Sequence, residues 1–408
     1  MSGRPEVVSL HGLPEPDGRA LGSPPAEQIP AMTTVEAADT RIGVLLVGPS
    51  LDILGGQAVQ LQRLLERLRA RPGLEIGFLP VNPRLPGPLR GLQRVKYMRT
   101  IVTSLAYITG LLRQVRSYDV VHAFSASYWS FLLAPLPALV AGRLFGRATI
   151  LNYRSGEAPD HLQHWPLSRW MMRLADAIVV PSPYLVEIFA RHGLAATAIA
   201  NFVDVEGIPF RERTLLRPVF LSNRNFEPLY NVACTLRAFA RVQRELPAAS
   251  LIVAGYGREE SRLRSLARDL KLSGVEFVGR MVPEQMARLY DRADVYLNTP
   301  NIDNMPNSVL EAFTAGLPVV TTSAGGVPFV AGHDRNALMV PCDDDAAVAA
   351  AAIRLFREPG LATRLSSQAR QEALQRYVWS AVGPQWEALY ARIRHDGRAR
   401  RAGARPAP

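Results

Sequence analysis

Apolar residues along this chain fall into short unbroken runs, each followed by a polar loop bearing glycine and then by apolar positions at helical spacing. Ile42 to Val47 is the first such run, as expected of a strand buried on both faces. The loop Gly48 to Gly56 follows and ends in Gly55-Gly56, after which Ala58, Leu61, Leu64, Leu65 and Leu68 share one helical face. Strand, glycine loop and helix open a doubly wound domain, although the three spaced glycines of the dinucleotide fingerprint are missing. Further strands are expected to end near Ser125 and to span Ala148 to Leu151 and Ala177 to Val180. The alternation restarts at Val219 to Ser222. It continues through the strand and glycine turn Ser250 to Gly257, then Val275 to Met281, Ala293 to Leu297 and Val319 to Thr322. The pattern predicts an α/β chain of two doubly wound, Rossmann-like domains, with ligands in the crevice at the carboxyl ends of the strands.

The boundaries follow from shifts in composition. Residues 1–39 are rich in Pro, Gly, Ala and Glu without periodicity and are expected to form a disordered leader, with no signal-peptide pattern. The first domain is expected over 40–205, a polar, proline-bearing linker over 206–217, and the second domain over 218–377. A last helix over 378–394 carries Trp379, Trp386, Leu389 and Tyr390, and a basic tail over 395–408 is expected to be disordered. Phe131 to Phe145 is apolar but holds Pro135, Pro137 and Arg143, which predicts a buried helix rather than a membrane span.

The chemistry concentrates in Asn298 to Pro328. A strand delivers the chain to the polar loop Asn304, Met305, Pro306 and Asn307, and a short helix then begins at Ser308. Gly316 suits the left-handed residue that ends such a helix, and Pro318 prevents its continuation. Backbone amides and a helix N-terminus converging on one loop attract phosphate. Asp303 and Glu311 flank the loop with seven residues between them. Each has a plain alternative: Ser308-x-x-Glu311 fits a capping box, and Asp303 could initiate a turn.

This stretch resembles the signature of retaining glycosyltransferases of family 4, which have the GT-B fold. That signature is a glutamate, seven residues, a second glutamate, small residues and then Gly-x-Pro-Val-Val, here with Asp303 in the first position. The resemblance implies that Glu311 grips the ribose of a nucleotide-diphosphate sugar. It implies that Asp303 and Asn304 to Ser308 hold the donor sugar and diphosphate, and that Arg224, in the loop after the second domain's first strand, contacts the diphosphate. It also implies donor contacts at Gly255, Gly279 and Arg280, while Gly325 and Gly326 either let backbone approach the donor or make only a turn. Gly55, Gly56 and Gln57 would face the acceptor, the diglycine being otherwise a simple turn, and the last helix would cross back to the first domain. Ile199 to Asp204 is similar to the family's interdomain segment, with Phe202 in place of a glycine.

Several positions depart from the family. Relatives carry a lysine five positions after the diphosphate arginine, where this chain has Leu229 and Tyr230. Phe124 replaces the second residue of a His-x-His pair, leaving Ser125, Ser127 or His122 to share its work, unless His122 is a hydrogen-bonded core residue, and Arg154 stands where many relatives have histidine. Arg154, with Tyr153 and Glu157 beside it, lies at the end of a strand, a position suited to clamping a phosphate or a carboxylate acceptor. The candidate catalytic residues are therefore Asp303, Arg224, His122 and Arg154. Ser125, Tyr153 and Glu157 complete the acceptor side.

Composition narrows the class. At 408 residues, 48% hydrophobic and 20% charged, the chain is that of a globular protein, and two cysteines exclude a disulfide framework. The net charge of +11 is carried almost wholly by arginine, since Lys96 and Lys271 are the only lysines, and it favours anionic partners. No nucleic-acid-binding module is recognisable. Between 84 and 116 there are seven basic residues and no acidic one, flanking an apolar run of 100–112 that is too short to span a bilayer. Such a segment suits an anionic membrane surface, or is an ordinary packing helix with solvated ends. No residues have metal-site spacing: Asp343 to Asp345 read as a helix cap. The expected activity is metal-independent, retaining transfer from a nucleotide sugar to a glycan or lipid-linked acceptor, in the cytoplasm or on the inner face of its membrane. No other cofactor is expected. The alternatives are a non-catalytic GT-B binder and a sugar-nucleotide epimerase.

Overall fold

The structure, a computed structural model, describes residues 41–51, 56–84, 87, 96–125 and 127–401, with side chains omitted at 96–97 and 398–401. The leader, Gly55, Arg90, Arg94 and residues 402–408 lie outside the described residues.

The first lobe runs β1 (Ile42–Gly48), α1 (Gly56–Arg69), β2 (Leu74–Pro80), α2 (Lys96–Gln114), β3 (Val120–Ser125), α3 (Trp129–Leu133), α4 (Pro135–Leu144), β4 (Ala148–Tyr153), α5 (Ala158–His164), α6 (Pro166–Met172), β5 (Ala177–Val180), α7 (Pro183–Arg191) and β6 (Thr197–Ala198). The second runs β7 (Val219–Asn223), α8 (Val232–Glu245), β8 (Ser250–Ala254), α9 (Glu260–Asp269), β9 (Val275–Gly279), α10 (Pro283–Arg292), β10 (Val295–Asn298), α11 (Asn307–Thr314), β11 (Val319–Thr322), β12 (Leu338–Val340), α12 (Asp345–Arg357), α13 (Leu361–Arg376) and α14 (Trp379–Arg401).

Both sheets are six-stranded and parallel, in the orders β2-β1-β3-β4-β5-β6 and β12-β11-β10-β7-β8-β9. The winding reverses between β1 and β3 and between β7 and β10, so each lobe has a crevice beyond its strand carboxyl ends. The strands are continuous apolar runs because helices cover both faces: Val44, Leu45, Leu46 and Val47 are all fully buried.

The last helix does return to the first lobe. Trp386, Leu389, Tyr390 and Ile393 of α14 join Val44, Leu46 and Phe124 in one core cluster. Burying such side chains stabilises the contact by about 1.5–3 kcal/mol each. Phe202 packs on Trp379 with ring centroids 5.0 Å apart, so a large side chain fills the space that a glycine would leave.

Three expectations need correcting. The apolar run at 131–145 is two helices, broken at Pro135 and not buried throughout, with Leu133, Val140 and Leu144 exposed. Helix α14 continues to Arg401, so residues 395–401 are helical rather than disordered. Ser308 lies inside α11, whose N-cap is Pro306, and no capping box forms with Glu311. The linker is bound to the second lobe. Arg213 is fully buried and donates to the carbonyls of Ala293 and Ala315 at 3.0 and 2.6 Å, while Arg211 and Arg217 surround Asp294.

Candidate functional site

A cavity of about 510 Å³ lies between the lobes. The loop between β10 and α11 forms its second-lobe wall, because Asp303, Asn304, Met305, Pro306, Asn307 and Ser308 all line it together with Glu311. No side chain caps α11, so its N-terminal amides remain available to a ligand at that wall.

Arg224 follows β7 and reaches this loop. Its Nη2 donates to Asp303 Oδ2 at 2.5 Å and its Nη1 to Ser308 Oγ at 3.0 Å, and the guanidinium lies 4.0 Å above the Tyr230 ring. The Leu229 carbonyl accepts from the amides of Asn301 and Ile302 at 2.9 and 3.2 Å. Leu229 and Tyr230, found where relatives carry a lysine, therefore brace the carboxylate loop and its arginine rather than adding a charge.

Glu311 is held on both oxygens. Arg63 Nη2, from α1 in the other lobe, donates to Oε1 at 2.7 Å, and Tyr290 donates to Oε2 at 2.8 Å. Burial and the Glu311 carboxylate push the Tyr290 phenol well above its ordinary pKa, which keeps it a donor.

Asn201 joins the lobes. Its Nδ2 donates to Met305 O at 2.9 Å and Asn307 Oδ1 at 2.7 Å, and its Oδ1 accepts from Arg154. Gln60 Nε2 donates to Phe202 O at 2.9 Å and to Asn307 Oδ1 at 3.1 Å, and Ser182 Oγ donates to Asn304 Oδ1 at 2.5 Å. The Asn304 Nδ2 group is buried with no hydrogen-bond partner among the described residues.

The remaining expected residues divide. Gly56, Gln57, Ser125, Arg154 and Glu157 line the first-lobe wall, and Gly255 and Arg280 the second. Gly325 and Gly326 lie behind the loop. A Cβ at Gly326 would come 2.0 Å from the Asn304 carbonyl oxygen, so these glycines let two backbone segments meet and do not line the cavity. Gly279 does not line it either; its carbonyl accepts from Gly255 N at 2.9 Å. Tyr153 is buried, with its hydroxyl bonded to Ser127 and His161 at 2.9 Å each.

His122 takes the core position rather than the cleft. It is fully buried off the cavity, stacked on Trp386 and Phe124, with Nδ1 2.8 Å from the Tyr390 hydroxyl and Nε2 2.9 Å from Asn152 Nδ2. Burial, then the Arg154 charge, pull its pKa down to about 3. Asn152 Oδ1 accepts from Arg154, so the Asn152 amide donates to a neutral ring. His122 thus positions Asn152 and does not line the cavity.

Sequence reasoning missed Arg63, Gln60, Tyr290, Asn201 and Ser182. A signal for the first two existed: Gln57, Gln60, Arg63 and Arg67 recur every three or four residues along α1, beside its apolar stripe.

Two family models match the chain, Glycosyl transferases group 1 over residues 210–372 and Glycosyltransferase Family 4 over residues 54–206. Together they cover most of both lobes. This chain belongs to the GT-B glycosyltransferases of family 4 type. Among relatives of this glycosyltransferase, a phosphatidyl-myo-inositol mannosyltransferase of Mycobacterium leprae is 27% identical over 88% of this chain and 98% of its own. A glycogen synthase of Mycobacterium tuberculosis is 26% identical over 67% of this chain and 68% of its own. The fold matches a sucrose-phosphate synthase from Thermosynechococcus elongatus (TM-score 0.70, 19% identity, covering 86% and 99% of the two chains). It also matches Anabaena HepE in complex with UDP (TM-score 0.68, 16% identity, covering 86% and 100%).

Proposed function

We propose that this glycosyltransferase takes a sugar from a nucleotide-diphosphate donor and passes it, with retention, to a glycan or lipid-linked acceptor in cell-envelope or exopolysaccharide synthesis. The observation that carries this reading is the pair of neutralised carboxylates. Asp303 is bound by Arg224 and Glu311 by Arg63, so neither buried carboxylate of the cavity is free to act as the base that an inverting displacement needs.

The cavity is instead built for departure of an anion. As the bond between anomeric carbon and phosphate oxygen breaks, positive charge grows on the sugar and negative charge on the leaving diphosphate. Arg224 and the amides at the start of α11 stabilise the diphosphate, and Glu311 accepts from the ribose hydroxyls. Asp303 orients Arg224 and faces the sugar, whose hydroxyls supply the partner that Asn304 Nδ2 lacks. The acceptor hydroxyl attacks on the face the diphosphate leaves, passing its proton to the departing phosphate oxygen, with no metal ion required. Mannosyl transfer to a phosphatidyl-inositol in the Mycobacterium leprae relative and UDP in the Anabaena structure fit this reading.

The acceptor side suits an anionic membrane on the cytoplasmic face. Met98, Ile101, Leu105, Ile108 and Leu112 form an exposed apolar stripe on α2, while Tyr107 and Leu111 enter the core, and Arg99 and Arg113 flank the stripe. No described helix is long and apolar enough to cross a membrane. The competing reading, a non-catalytic binder, draws on the missing second cation at Leu229 and Tyr230.

The test is a thermal-shift panel of nucleoside diphosphates and nucleotide sugars on wild type and Glu311→Ala, followed by turnover of a labelled donor. A selective rise in Tm that the variant loses, with product formed, supports the transferase. Binding without turnover supports the binder, and no shift with any nucleotide removes the transferase and leaves a binder of glycan.

A further inference from the structure

Three arginines line the cavity, and Arg154 among them has no carboxylate partner among the described residues. Arg224 is paired with Asp303, and Arg280 lies over the Tyr256 ring with the centroid 5.4 Å away. Arg154 donates to Asn152 Oδ1 at 3.2 Å and to Asn201 Oδ1, and its guanidinium carbon lies 5.7 Å from the centre of the Phe124 ring. Both hydrogen-bond partners are neutral amides, and among the described residues no carboxylate lies within ion-pair distance of it. Burial alone draws its pKa down to about 10, with no acidic neighbour opposing the shift. Arg154 is half-buried and lines the cavity, so its guanidinium is placed where a ligand anion can complete the pair.

The surroundings fix where that ligand would sit. Asn201 bonds Arg154 on one side and Met305 and Asn307 on the other, so Arg154 stands one side chain from the loop that receives the donor sugar. It belongs to the first lobe, whereas Arg224 and α11 belong to the second. The amide of Asn152, itself set by neutral His122, holds the guanidinium from behind. Two of its five N–H groups are engaged by these amides, which leaves donors for a planar, two-oxygen acceptor.

We propose that Arg154 binds an anionic group, carboxylate or phosphate, that a substrate carries beyond the donor diphosphate. The chemistry has two sources: the carboxylate of a uronate donor sugar, or a carboxylate or phosphate on the acceptor beside the attacked hydroxyl. The assignment rests on the nucleotide-sugar reading given above.

The experiment is calorimetric titration of the full chain in two arms, on wild type, Arg154→Gln and Arg154→Lys. The donor arm compares UDP-glucuronate with UDP-glucose. The acceptor arm uses UDP-saturated protein and compares glycerol 3-phosphate and methyl glucuronide with glycerol and methyl glucoside. In one arm the anionic probe binds wild type about ten- to hundredfold tighter than its neutral analogue, the gain expected of a charged hydrogen bond. That ratio falls to near one in Arg154→Gln and survives in part in Arg154→Lys, which keeps the charge if the glutamine variant folds poorly. The arm that responds names the source. A ratio near one in both arms of wild type, or a ratio preserved in Arg154→Gln, overturns the assignment. So does a loss of UDP affinity in the Arg154 variants without any change in discrimination, because Arg154 would then bind the diphosphate. If wild type binds no nucleoside diphosphate, the nucleotide-sugar reading falls and the assignment with it, whereas UDP binding without discrimination removes the Arg154 assignment alone.

Discussion

Arg63 in the first lobe and Glu311 in the second meet at 2.7 Å across the cavity, both side chains largely buried. Each Glu311 oxygen carries two lone pairs and uses one here, on Arg63 or Tyr290, so ribose hydroxyls are accepted without breaking either bond. Arg63→Met is therefore expected to weaken nucleotide binding less than tenfold and Glu311→Ala more than tenfold, a difference of roughly 1 kcal/mol or more. A double-mutant cycle in urea should give about 1–3 kcal/mol of coupling between the two. Tighter nucleotide binding by Arg63→Met would instead make the pair a latch that the nucleotide must open.

Arg224 supplies two donors in a fork, to Asp303 and Ser308, and stacks on Tyr230. Lysine offers neither the fork nor the flat face. Arg224→Ala is expected to lower kcat about 10²–10³-fold, the range for losing one preorganised donor to a developing anion, and Arg224→Lys to recover little of it. Full activity in Arg224→Lys would show that a point charge suffices.

His122 yields a pH prediction with a definite sign. Its folded pKa is about 3 against an ordinary value of 6.5, so on acidification below 6.5 the unfolded chain binds the proton first. Its contribution to stability is present above pH 6.5 and is lost as pH falls toward 3. Tm of wild type should fall across that window more steeply than Tm of His122→Gln. The kcat profile between pH 6 and 8 should show no step that disappears in the variant, because the ring is neutral throughout. Such a step would restore a catalytic role to His122.

The doubly wound lobes were legible because parallel strands buried on both faces read as unbroken apolar runs, and Ile42 to Val47 or Val319 to Thr322 needed no tertiary information. The loop at 303–308 was legible for a related reason: its strand, polar turn and helix are contiguous in sequence. Pairings between the lobes were not. Arg63 and Glu311 are 248 positions apart, and nothing local to α1 says which lobe its polar face meets. His122 misled because a strand-end histidine next to a cleft and one inside the core have the same local sequence. Only Trp386 and Tyr390, arriving from the far end of the chain, bury it.

Gly326 tests whether the cavity wall depends on the segment behind it. A methyl group there would meet the Asn304 carbonyl oxygen at 2.0 Å, far inside contact distance, and the neighbouring atom is backbone. Gly326 N belongs to the same junction, donating to Asp303 O at 3.0 Å. Gly326→Ala should therefore displace the loop and weaken donor binding by about tenfold or more, at a stability cost of about 1–3 kcal/mol, as for other overpacked sites. Unchanged donor affinity would show that the loop adjusts independently of its support.

The stripe on α2 separates the two readings of the basic segment. A packing helix has one apolar face, but this one has two, since Tyr107 and Leu111 are buried while Ile101 and Leu105 are 54% and 60% exposed. Exposed leucine and isoleucine at helical spacing gain on reaching the acyl boundary of a bilayer, roughly 1 kcal/mol or more per side chain, and flanking arginines add electrostatic attraction to anionic lipid. Ile101→Gln with Leu105→Gln should cut binding to vesicles containing phosphatidylglycerol by about tenfold or more while leaving Tm and nucleotide binding unchanged, because neither side chain enters the core. Raising the salt concentration should weaken the wild type further through the arginine contribution alone. If the double variant binds these vesicles as wild type does, the membrane reading of this face fails. The stripe would then have to be covered by protein, a second copy of the chain included, which sedimentation of the two proteins side by side would reveal.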